Sequence, residues 1–152
     1  MLSALLAVHL LGAVLWVGGM AFVLAVLRPS LVVLEPPQRL ALHGQVFARF
    51  FRLVWHAMPL ILLTGYGMVF GFYGGFGGVN GAVHTMHLLG WIMTAIFVYV
   101  FFWPWRAMRA AMDAGDRTAS AAQATQADHI RKLITLNLAL GLIVILIAPF
   151  GP

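Results

Sequence analysis

The sequence contains no cysteine, so it has no disulfide, no thiol redox pair and no thiolate metal site. It has almost no charge: 9% of 152 residues, where a soluble domain carries about a quarter. Acidic residues are scarcer still, four against nine basic ones, and none lies in an apolar stretch. That excludes a proton relay of acidic type. No Gly-rich phosphate loop precedes a helix, because Gly74-Gly75-Phe76-Gly77-Gly78 lacks the Lys and Ser that such a loop requires.

Hydrophobic residues are abundant, at 62%. The few charges are confined to two stretches. Arg28, Glu35, Arg39, Arg49 and Arg52 form one; Arg106, Arg109, Asp113, Asp116, Arg117, Asp128, Arg131 and Lys132 form the other. A bilayer imposes such segregation, since a charge at its centre costs about 2.5 kcal/mol or more. Apolar segments at about 2–27, 53–73, 82–105 and 130–149 are each near the roughly 20 residues that a helical span needs. No alternating period of barrel strands appears. The expected fold is all-α, a single four-helix transmembrane domain over residues 1–152. The N-terminal run lacks a basic n-region and is read as a retained span.

Four basic residues fall in the first connection, five in the second and none in the Gly74–Gly81 turn. The positive-inside rule then puts both charged connections in the cytoplasm and both termini outside, in a bacterial-type inner membrane. The net charge of +5 flanks apolar spans, which speaks for anionic lipid and against nucleic acid. Residues 38–52 read as an amphipathic interfacial helix leading into the second span, after a stop at Glu35-Pro36-Pro37. Residues 113–128 read as a flexible loop or frayed helix end. The spacing Gly67, Gly71, Gly75 suggests close packing on the second helix, with a homodimer as one outcome.

Six histidines are present. His43 and His129 belong to the charged connections, and His56 begins the second span. His9, His84 and His87 enter their spans from the opposite side and share one depth. On the first helix His9, Gly12, Ala13, Trp16, Gly19 and Met20 form a stripe. On the third, His84, His87, Trp91, Thr94 and Ala95 form another. Two such troughs suit a flat macrocycle, with His9 and either His84 or His87 as axial ligands and Trp16 and Trp91 beside the ring. Each ligating imidazole must give its other N–H to an acceptor, for which Thr85 and Tyr66 are candidates. Copper is the alternative, since imidazole and thioether suit Cu(I) and eight methionines are present. A purely structural role for histidines and glycines also remains open. Asn137 in the fourth span is expected to bond across helices or to line a cavity.

The run AVHLLGAVLWVGGMAFVLAVLRP (7–29) resembles the first helix of the CopD-like membrane family. The resemblance continues through ARFFRLVW (48–55), GYGMVFGFYGGFGG (65–78), AVHTMHLLG (82–90) and IRKLITLNLALGL (130–142). It implies two alternatives. CopD-type proteins are associated with copper uptake or resistance. The related HemJ-type protoporphyrinogen oxidases bind b-type haem, with histidines matching His9 and His84 and a lysine where this chain has Met86. The expectation carried forward is b-type haem in an electron-transfer protein, an oxidoreductase serving quinol or a small redox partner. Copper handling without catalysis is the rival.

Overall fold

In a computed structural model the backbone is described for residues 1–114 and 117–151, and the side chains of 117–119 lie outside the description. Every long element is a helix, and no strand occurs among the described residues. Helix α1 spans Leu2–Val33, α2 Pro36–Phe72, α3 Gly81–Phe102, α4 Pro104–Ala114 and α5 Arg117–Ile147. Four stretches are long and apolar enough to cross a membrane: Leu2–Val33, Pro36–Phe72, Gly81–Ala114 and Ser120–Phe150. Only 17–28% of each apolar window is buried within the protein, so most of its surface must meet lipid. This is the four-helix membrane bundle expected from the sequence.

Two boundaries differ from expectation. The interfacial helix and second span are one helix, running from Pro36 through Pro59 to Phe72. Its start is secured by a capping box, in which the Glu35 N–H donates to Gln38 Oε1 at 3.1 Å. Arg39 ties that start to the end of α1, donating to the carbonyls of Leu34 (2.6 Å) and Val32 (2.9 Å). The polar stretch 113–128 is helical from Arg117, with residues 115 and 116 outside the description. It holds because Gln123 Nε2 donates to Ala111 O at 3.0 Å and Ile130 is fully buried. A loop reading weighs polarity alone and misses this packing of α4 against α5.

Helix α1 packs chiefly on α2, and α3 chiefly on α5. Two π-turns, Val14–Gly18 and Val23–Leu27, interrupt α1 and keep Trp16, Val17, Met20 and Val23 all turned inward. At the uncharged end Gly74 and Gly75 adopt φ of +73° and +86°, which lets the chain turn and the Gly75 N–H close on Val69 O at 2.9 Å. Gly75 is thus a turn residue, not part of a helical glycine stripe. Gly67 faces Leu5 of α1, and Gly71 faces open space. Asn80 caps α3 and donates from Nδ2 to Phe150 O at 2.7 Å, joining the chain end to the turn.

The densest packing lies toward the charged end. Phe51, 1% exposed, meets Phe47, Phe50, Phe97, Phe101 and Trp105 at ring-centroid distances of 5.4–6.3 Å. Gly12 and Gly19 of α1 serve the contact with α2, whereas Gly18 faces open space. A Cβ on Gly12 would lie 2.7 Å from Ile61 Cγ1 and 3.3 Å from Ala57 O; one on Gly19 would lie 2.6 Å from Phe50 Cε2. Gly12→Val is therefore expected to lower stability by about 1–3 kcal/mol, read from thermal unfolding in detergent.

Candidate histidine site at the uncharged end

His9 is half-buried on α1, and its ring turns toward α2 rather than α3. Its Nδ1 lies 3.0 Å from Thr64 Oγ1. Thr64 is buried, and its hydroxyl donates to Leu60 O at 2.5 Å. With that proton committed, Thr64 Oγ1 acts as acceptor and His9 Nδ1 carries the hydrogen. His9 Nε2 is left with its lone pair unprotonated, the state an imidazole needs to bind a metal. Gly65 permits the approach, since a Cβ there would stand 3.2 Å from His9 Cε1.

His87 faces the same region from α3. Its ring meets Tyr66 and Phe76 edge-on, both at 4.9 Å. Phe76, in the turn, also stacks on His84 at 5.7 Å. His84 and His87, three residues apart on α3, thus share Phe76 as a neighbour. His84 is exposed and His87 half-buried. The three histidines singled out from the sequence thus gather at one end of the bundle. They do not close around a point, and no cluster of three His, Cys, Asp or Glu able to hold a metal occurs among the described residues.

The other expected site residues part company. Trp16 is 4% exposed and packs edge-on against Phe97 at 6.1 Å, deep in the core. Trp91 is 49% exposed and donates from Nε1 to Tyr66 OH at 2.9 Å. Gly12 and Gly19 are covered by Ile61 and Phe50. The trough expected on α1 is therefore filled by α2 side chains, and the two tryptophans do not flank a common space. This arrangement does not fit a haem between α1 and α3.

The expected acceptors for the imidazoles also change. Thr85 donates to Gly81 O within its own helix, and Tyr66 serves Trp91. The partner of His9 is Thr64, which the sequence reading missed. A threonine one turn beyond Leu60 on an apolar helix was the available signal, but its facing partner was not. His56 donates from Nδ1 to Arg52 O at 2.7 Å, satisfied within its own helix. Asn137 is 3% exposed and lines a small cavity with Trp16 and Met20; its Oδ1 accepts no hydrogen bond.

Residues 44–150 match the family described as CopD, copper resistance protein D. The chain belongs to the CopD family. The match covers α2 to α5, and with them Thr64, His84 and His87; His9 precedes it. Neither a curated protein nor a solved structure matches the chain. CopD membership favours the copper alternative over the haem reading, and makes this a multi-pass membrane protein related to copper resistance.

Proposed function

We propose that this CopD-family protein handles copper as cargo, taking up cuprous ion at the histidine cluster of the uncharged end. The observation that carries the reading is the His9–Thr64 hydrogen bond, which makes Nδ1 the donor and leaves the Nε2 lone pair for a metal. Cu(I) is soft and is satisfied by few ligands, imidazole and thioether among them. His9 and His87 supply imidazoles and His84 stands at the rim, while the Met86 side chain lies against Gly151 instead. In this reading the role is non-catalytic.

The charged end faces the cytoplasm in this reading, so the cluster opens to the outer side of a bacterial-type inner membrane. The test is metal analysis of the purified protein, titrated with Cu(I) against a competing chelator and paired with an optical spectrum. About one copper per chain and no Soret band is the expected result for one such site. Stoichiometric haem without copper affinity would overturn the proposal and return the electron-transfer reading.

A further inference from the structure

A second site lies at the opposite, charged end. A cavity of about 330 Å³ opens there among α1, α2 and α5. Its rim carries Arg28 from α1, Arg39 and His43 from α2, and Arg131 and Asp128 from α5. Its walls are apolar, with Leu24, Phe47 and Ile134 among them. The one carboxylate is already shared: Asp128 pairs with Arg131 and, at 3.0 Å, with Lys132. Against that one carboxylate the cavity carries three guanidinium groups, Arg28, Arg39 and Arg131, so a net positive charge remains, although Arg39 also donates to Leu34 O and Val32 O. The His43 Nδ1 is buried with no hydrogen-bond partner. Three helices separated in sequence thus bring guanidinium groups to one mouth, with the His43 ring in its lining and its Nδ1 buried, above a hydrocarbon-like wall.

We infer that this cavity binds one anionic phospholipid, its phosphate held by Arg28 and Arg39 beside the His43 ring and an acyl chain laid along the apolar wall. The chemistry fits both parts of such a molecule. A guanidinium forms strong charge-assisted hydrogen bonds to phosphate. Basic pockets between transmembrane helices suit anionic headgroups. A free phosphate would use the rim and leave the apolar wall unmatched. The site lies at the opposite end from the histidine cluster and does not depend on the copper reading.

Native mass spectrometry of the full chain in detergent tests this, with phosphatidylglycerol and phosphatidylcholine titrated separately. One phosphatidylglycerol per chain is expected, retained at least about fivefold more tightly than phosphatidylcholine. Arg28→Gln should weaken phosphatidylglycerol binding roughly five- to tenfold, while Arg49→Gln, an exposed cation at the same end but outside the cavity, should not. Ala124→Leu narrows the cavity from an exposed position and should weaken binding with no change in charge; it keeps the test decisive if Arg28→Gln folds poorly. Equal retention of the two lipids, or equal losses in Arg28→Gln and Arg49→Gln, would overturn the inference. Displacement of the lipid by millimolar inorganic phosphate would also overturn it, in favour of a soluble anion.

Discussion

Thr64→Val should weaken cuprous ion binding about 10- to 100-fold, although residue 64 touches no metal in this account. Valine keeps the shape of threonine and removes the oxygen that accepts the His9 Nδ1–H. The imidazole then loses the bond that fixes its tautomer and holds its ring over Gly65. Nδ1 and Nε2 become competing sites for one proton, and the ring is free to leave the orientation it holds against α2. Thr64→Ser restores the acceptor and should recover most of the affinity. His9→Ala should abolish binding outright. The contrast between Val and Ser separates positioning of the imidazole from simple disturbance of α2, because both substitutions alter the same buried position. Chelator competition on the purified variants reads all three.

Phe51→Ala is the other large effect, and it concerns the fold. Phe51 is 1% exposed and touches rings from α2, α3 and α4. Truncation removes the transfer energy of the ring and leaves a void that Phe97 and Trp105, each held by further rings, cannot close. A loss of about 3–5 kcal/mol is expected. Thermal unfolding in detergent should show it as a large fall in midpoint. The histidine cluster lies at the other end, so any Phe51→Ala protein that remains folded should bind copper normally. The Thr64 and Phe51 variants therefore make a reciprocal pair, one affecting the metal and the other the fold.

The membrane architecture was legible because charge segregation is a property of the chain alone. A bilayer tolerates Arg and Asp at its edges and not at its centre, whatever the helices pack against. The common level of His9, His84 and His87 followed from the same reasoning, through span direction. What each helix faces did not. His9 shares a stripe with Gly12 and Gly19, and that stripe reads equally as a trough for a ligand or a seam for a neighbouring helix. Only the placement of Ile61 and Phe50 decides for the seam. The His9–Thr64 bond joins residues 55 positions apart on adjacent helices, and no local period encodes it. The fusion of the interfacial helix with the second span and the helical start of α5 were hidden for a related reason. Tertiary contacts overrode the local signal of polar composition. The arginine-rimmed cavity is of the same kind: Arg28, Arg39 and Arg131 read singly as interface cations, and only the bundle makes them neighbours.

X-ray absorption at the copper edge of the Cu(I)-loaded protein addresses the metal site itself. The account predicts a low-coordinate cuprous ion with imidazole nitrogen in its first shell, and no copper retained by His9→Ala. A spectrum dominated by sulfur, or one that His9→Ala leaves unchanged, would contradict it.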